Sequence, residues 1–189
     1  DAAYQPPDEL RQFLDIGNAP ICVSFGSMLN HDAEKINDTV RNALGQTGYR
    51  AIILSGWSNL KTVSTKNLLY MDAAPHQWLL PRCEMIIHHG GAGTTSAGLR
   101  AGIPNIVIPH TADQPFWGRR VHDIGAGPRA IPVKKLSVEN LTRAIAEGSL
   151  PAIREHANEI GQKLRREDGV GNALQWIEEC YTDFLRNNR

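Results

Sequence analysis

The feature that most constrains this chain is a series of short apolar runs without polar alternation. They are Pro20–Phe25, Ala51–Leu54, Leu68–Met71, Glu84–His88 and Asn105–Pro109, with a weaker one at Arg129–Ile131. A strand with one wet face alternates apolar and polar residues, whereas a strand covered on both faces need not. Helical spacing fills the gaps between the runs. Ile36, Val40, Ala43 and Leu44 form one stripe, with Asn30 and Asp32 upstream as caps. Ser137 caps a helix carrying Val138, Leu141 and Ile145, and Ile153, Ala157, Ile160 and Leu164 form a stripe that stops near Gly169. Ala173, Trp176, Ile177, Cys180, Tyr181 and Phe184 make the cleanest stripe and close the chain. Residues 6–14 read as a lead-in helix. Strands alternating with helices predict a doubly wound, mostly parallel α/β sheet, whose ligands sit beyond the carboxyl ends of the strands.

At ~100–200 residues per domain, 189 residues make one domain. Hydrophobic residues at 41% exclude a disordered chain, and 20 basic against 20 acidic residues leave no basic footprint for nucleic acid. No apolar run approaches the ~20 residues that span a bilayer. The chain opens on Asp1, not Met, and has no signal-peptide pattern, which reads as an excised piece. Cys22, Cys83 and Cys180 are odd in number and form no CxxC pair. They predict buried free thiols in a reducing, cytoplasmic compartment.

The chemistry is concentrated where glycine is. Of 17 glycines, five fall between Gly90 and Gly102. Two glycine-bearing segments follow apolar runs directly: Ser24–Ser27 (SFGS) and His88–Thr95 (HHGGAGTT), each leading into a helix. A helix N-terminus offers unpaired N–H groups and the positive end of its dipole, so an anion can approach where glycines leave room. The hydroxyls of Ser27, Thr94 and Thr95 add donors. Each segment alone is equally well a tight βα turn; together they point to a diphosphate held between them.

Competing motifs are weaker. Gly91-x-Gly93-x-x-Ser96 lacks the last glycine of a dinucleotide fingerprint, and Asp113 sits after a Pro-containing loop, not at a strand end. No GxxxxGK[ST], HExxH or GxSxG occurs. His88 and His89 are adjacent at a strand end and point to opposite sides, so they would not chelate one ion together; one of them reads as structural. Asp113–Gln114 can clamp sugar hydroxyls, and Asp113 equally fits as the cap of the helix that follows.

Three segments resemble one family. Ala74–Pro81 (APHQWLLP), His88–Pro104 (HHGGAGTTSAGLRAGIP) and Asp113–Val121 (DQPFWGRRV) look like the donor-binding signature of the UDP-glycosyltransferase superfamily. The likeness is greatest to the sterol and lipid glucosyltransferase branch and its bacterial relatives. SFGS at Ser24–Ser27 fits the same family's first donor-domain loop, and the resemblance runs from about Pro6 to about Ile145. It implies the GT-B fold, of which residues 1–189 would be the Rossmann-like carboxyl-terminal half, a single nucleotide-sugar-binding domain, with the N-terminal acceptor domain absent.

By the same resemblance, His89 faces the diphosphate and stabilises the leaving UDP. Gly91, Gly93 and Thr94 contact the phosphates, with Ser27 opposite. Pro75 and His76 sit near the uracil, their backbone reading its edge, and Asp113 and Gln114 hold sugar hydroxyls. The general base lies outside the chain. Neither cofactor nor metal is expected, and no Asp-x-Asp motif occurs. The implied partners are a UDP-sugar donor, the missing acceptor domain and a lipophilic acceptor such as a sterol, without nucleic acid. A lipid acceptor implies peripheral membrane contact for the full-length enzyme. Two departures stand out: plant members carry a base-stacking Trp at Ala73 and a ribose-binding Glu at Ala97. Trp57 or Trp78 could replace the first ring. The alternatives are a non-catalytic UDP-sugar-binding subunit that pairs with a separate acceptor subunit, half of a UDP-sugar epimerase, or half of an unrelated dinucleotide-binding oxidoreductase.

Overall fold

Every expected apolar run but the weakest becomes a strand. The structure, a computed structural model, describes residues 4–25, 33–56 and 63–187. The strands are β1 (Ile21–Ser24), β2 (Ala51–Leu54), β3 (Leu68–Met71), β4 (Met85–His88) and β5 (Asn105–Val107). They form one five-stranded sheet in the order β3-β2-β1-β4-β5, each pair parallel. In register, Ile21 lies between Ala51 and Met85, and Ser24 between Leu54 and His88.

Alternate residues of one strand serve opposite faces, which is why the runs are apolar throughout. Ile21, Val23, Ile53, Ile87 and Ile106 pack on one face against Ile36, Val40 and Leu44 of α2 (Ala33–Thr47) and Leu141 and Ile145 of α6 (Val138–Gly148). Cys22, Ile52 and Ile86 pack on the other against Leu10 and Phe13 of α1 (Asp8–Asp15) and Leu79 of α3 (His76–Leu79). Each such fully buried side chain contributes about 1.5–3 kcal/mol. Two further helices, α4 (Ala92–Ala101) and α5 (Gln114–Asp123), follow β4 and β5. Ser137 and Asn140 form a reciprocal capping box at the start of α6. The lead-in helix and the stripe at Ile36–Leu44 are as expected; Asn30 and Asp32, its suggested caps, lie outside the described residues.

Two expectations are corrected. Arg129–Ile131 is not a strand, although the Ile131 N–H donates to the Val107 carbonyl at 3.0 Å. Pro128 and Pro132 bracket it and have no N–H to continue a ladder. Of the cysteines, Cys22 and Cys83 are buried free thiols, but Cys180 is exposed. The reason lies in the last helices. The last helices, α7 (Pro151–Arg166) and α8 (Gly169–Asn187), form as expected, and the stripe on α8 is largely exposed. Trp176, Ile177, Tyr181 and Phe184 are each 60–68% exposed. Among the described residues, no helix is long and apolar enough to cross a membrane.

Candidate active site at the strand switch point

The chain leaves β1 towards β2 and β3, then crosses back to β4 on the other side. The carboxyl ends of β1 and β4 therefore border the crevice in which doubly wound sheets bind ligands. Ser24 ends β1 and His88 ends β4, and the two are register partners.

His88 and His89 divide their roles. His88 is completely buried. Its Nδ1 accepts the Gly90 N–H at 3.1 Å, which places the proton on Nε2, 3.1 Å from Asn105 Oδ1. The Asn105 amide in turn donates to the Ile103 carbonyl at 2.8 Å. Burial, with repulsion from His89, pushes the His88 pKa down to about 3. It is the structural histidine of the pair. A Cβ at residue 98 of α4 would overlap the Asn105 amide, so Gly98 is what lets this network close against the helix.

The His89 ring stands edge-on to that of His88, with centroids 6.5 Å apart and planes at 82°. It leans over the start of α4: a Cβ at Gly91 would lie 2.5 Å from His89 Nε2. His89 is half-buried, and its Nδ1 has no hydrogen-bond partner. Burial lowers its pKa, opposed by the backbone of Ser24 and the charge of Asp113.

Gly91 is the N-cap of α4 and supplies no side-chain cap. The first helical bond runs from Thr95 N–H to the Gly91 carbonyl at 2.9 Å. The N–H groups of Ala92, Gly93 and Thr94 precede it and have no intrahelical acceptor. Nothing lies within 4 Å of the place a Cβ would take at Gly93, so open space adjoins those donors. Thr94 is half-buried beside them. Thr95 is removed from the donor set: its hydroxyl turns back to the Gly91 carbonyl at 2.9 Å and is buried.

The third wall comes from α3 and the loop after β5. Pro75 is the N-cap of α3. The His76 side chain reaches β1, its Nε2 3.3 Å from Ser24 Oγ, and burial then His89 lower its pKa. After β5, the Gln114 side-chain oxygen accepts the N–H groups of His110 at 2.8 Å and Thr111 at 3.1 Å. Gln114 is nearly buried, so that oxygen is committed to shaping the loop. Asp113 occupies the N-cap position of α5 but makes no side-chain cap bond. Its Oδ2 instead accepts the Trp117 indole N–H at 2.8 Å, so the capping expectation fails. Ala112, just before Asp113, has a left-handed φ of 54°, unusual for a residue with a Cβ and common at functional loops.

His76, His89, Gly91, Gly93, Thr94, Asp113 and Gln114 thus converge around the β1–β4 crevice, with Pro75 behind His76. Ser27 and Trp57 lie outside the described residues. Trp78 is used in packing: the edge of Tyr4 meets it at 5.3 Å and the Arg82 guanidinium covers it at 4.1 Å. It is not offered to a base. Ala97 packs against the core on the α1 face, and Ala73 borders a cavity of about 420 Å³ at the carboxyl ends of β2 and β3. Among the described residues no group of three or more His, Cys, Asp or Glu is placed to hold a metal ion. Sequence reasoning gave no role to Ser24 or His110; their signal was position, one ending β1 and the other lying just beyond β5.

Comparison with known proteins agrees with this fold. Residues 51–168, well over half of the chain, match the family described as erythromycin biosynthesis protein CIII-like, C-terminal domain. The chain belongs to this family. It is 41% identical over 174 residues to sterol 3-beta-glucosyltransferase UGT80A2 of Arabidopsis thaliana, covering 91% of this chain and 27% of that protein. It is 34% identical over 195 residues to the sterol 3-beta-glucosyltransferase of Candida albicans, covering 96% of this chain and 12% of that one. The chain thus spans about a quarter or less of the length of the curated relatives it matches. Among solved structures, Os79 from O. sativa in complex with UDP superposes with a TM-score of 0.79 at 20% identity, over 94% of this chain and 44% of that one. The kitacinnamycin glycotransferase gives 0.76 at 22%, over 93% and 44%. The fold is therefore that of one half of a GT-B glycosyltransferase.

Proposed function

We propose that this chain is the donor-sugar domain of a UDP-dependent glycosyltransferase that moves a hexose, by preference glucose, to a hydroxyl of a lipophilic acceptor such as a sterol. The observation that carries the reading is the start of α4. Its unpaired N–H groups, the open space at Gly93 and the overhanging His89 ring meet at the strand switch point. A diphosphate suits that set of donors. The names of the relatives supply the sterol and the glucose.

In this reading Gly91, Gly93 and Thr94 hold the diphosphate, with Ser27 opposite, and His76 and Pro75 border the nucleoside. Asp113 holds sugar hydroxyls through the carboxylate oxygen that Trp117 does not take, and Gln114 fixes the loop that presents it. The acceptor oxygen attacks the anomeric carbon as the bond to UDP breaks on the opposite face, giving inversion. The acceptor's proton passes to a base outside this chain, and the electron pair of the broken bond stays on the diphosphate. The α4 dipole and His89 offset that charge, without a metal or other cofactor. The exposed stripe on α8 is proposed to meet the acceptor half. The enzyme would work in the cytoplasm at a membrane surface, where a sterol is presented.

Radiolabelled UDP-glucose with sterol acceptors tests this reading. The chain joined to an acceptor half should form sterol glucoside, and the chain alone should bind donor yet form none, because half a cleft cannot hold both reactants. Robust glucoside formation by the chain alone would show that the acceptor site has been misplaced.

A further inference from the structure

One histidine at the crevice has no role in the account so far. His110 lies just beyond β5, and its backbone is fixed because Gln114 accepts its N–H at 2.8 Å. Its ring stacks on Phe25, the residue after β1, with centroids 5.9 Å apart and planes at 15°. The ring thus bridges the ends of the strands that flank β4. Both ring nitrogens are buried and neither has a hydrogen-bond partner.

His88 shows what a purely structural histidine looks like in this fold: each of its nitrogens is bonded, one to Gly90 and one to Asn105. A neutral imidazole always carries one N–H and one lone pair, and leaving both unmet in a buried position is costly. His110 is held in that state by stacking and by its loop. A small turn of the ring would bring one of these nitrogens to a group taken into the crevice.

We propose that His110 is a donor-binding residue that contacts the diphosphate of the nucleotide sugar alongside His89. The inference rests on the donor-domain reading above. Burial and the nearby His89 disfavour a charge on His110, and burial disfavours one on His89. The titratable groups around the pair are His76, His88 and Asp113, of which only Asp113 is an anion at neutral pH. An incoming diphosphate reverses the balance: an anion between the rings favours their protonated forms. Donor binding is then coupled to proton uptake.

UDP-glucose is the right probe, because its diphosphate has no ionisation near neutrality while terminal phosphates do. Its affinity is measured by calorimetry from about pH 5.5 to about pH 8.5 for the protein, His110→Phe and His110→Gln. Phenylalanine keeps a ring on Phe25 and removes both nitrogens; glutamine keeps a neutral donor and acceptor. The affinity should strengthen as pH falls. His110→Phe should weaken it about tenfold or more at the acid end and flatten the profile, as expected for losing a hydrogen bond to a charged group. His110→Gln should recover part of the affinity but not the slope. Wild-type affinity and slope in both variants would overturn the proposal and identify a structural histidine bonded to a trapped water. Wild-type protein that binds no UDP-glucose at any pH would instead overturn the donor reading itself.

Discussion

The Nε2 of His88 lies 3.1 Å from Asn105 Oδ1, and this bond joins the last residue of β4 to the first residue of β5 beneath the crevice. It fixes the tautomer and the strand end from which His89 departs, while burial keeps the imidazole neutral. Asn105→Ala removes the acceptor and leaves a buried N–H unmet. The variant should lose about 1–3 kcal/mol of stability in urea unfolding, since the desolvation penalty of the orphaned group is then uncompensated. A smaller loss than that of an exposed Asn→Ala control would show that the bond does not hold the strand end.

The same histidine makes stability depend on pH. Its pKa is about 3 in the fold against an ordinary 6.5, so below 6.5 the unfolded chain binds a proton that the folded chain refuses. The contribution is fully present above pH 6.5 and is lost as pH falls towards 3. Between neutral pH and about pH 5 this group alone should cost about 2 kcal/mol. His76, His89 and His110 are shifted in the same direction and add to the loss. Urea midpoints that rise on acidification over this range would contradict the assignment of His88 as a buried neutral ring.

Gly91 and His89 are coupled by space. A methyl group at residue 91 would sit 2.5 Å from His89 Nε2, although the backbone there (φ −62°, ψ 142°) suits any residue. Gly91→Ala should therefore fold with a near-native melting temperature but turn His89 away from the α4 start. UDP affinity should fall by about tenfold, the loss of one charge-assisted hydrogen bond. Full affinity in the folded variant would detach His89 from the phosphate site.

Asp113 should separate sugar from nucleotide. Its side chain bonds Trp117 and caps nothing, so Asp113→Ala should leave α5 in place. UDP-glucose binding should weaken more than UDP binding. Equal losses for the two ligands would move Asp113 out of the sugar site.

Much of the fold was legible because both faces of the sheet are covered, which leaves strand runs without alternation and helix stripes between them. Arg129–Ile131 was misread because apolar content says nothing about N–H supply, and prolines at 128 and 132 remove it. The stripe on α8 was legible as a helix, and its apolar spacing alone does not say whether that face is buried. In the candidate site, the glycine pattern marked the loop that opens α4. The pairing of Thr95 with Gly91, and of Asp113 with Trp117, depends on side-chain rotamers that spacing alone does not specify. His110 went unassigned because its importance comes from Phe25, 85 residues earlier in the chain.

The central claim is that the crevice between β1 and β4 binds the diphosphate of a UDP-sugar, with His89 over the start of α4. Calorimetric titration of the protein and of His89→Ala with UDP, UDP-glucose and NAD tests it most directly. UDP and UDP-glucose should bind and NAD should bind poorly or not at all. His89→Ala should weaken UDP binding by ~1.5–3 kcal/mol, about ten- to a hundredfold. Tighter binding of NAD than of UDP, or unchanged UDP affinity in a folded His89→Ala variant, would contradict the account.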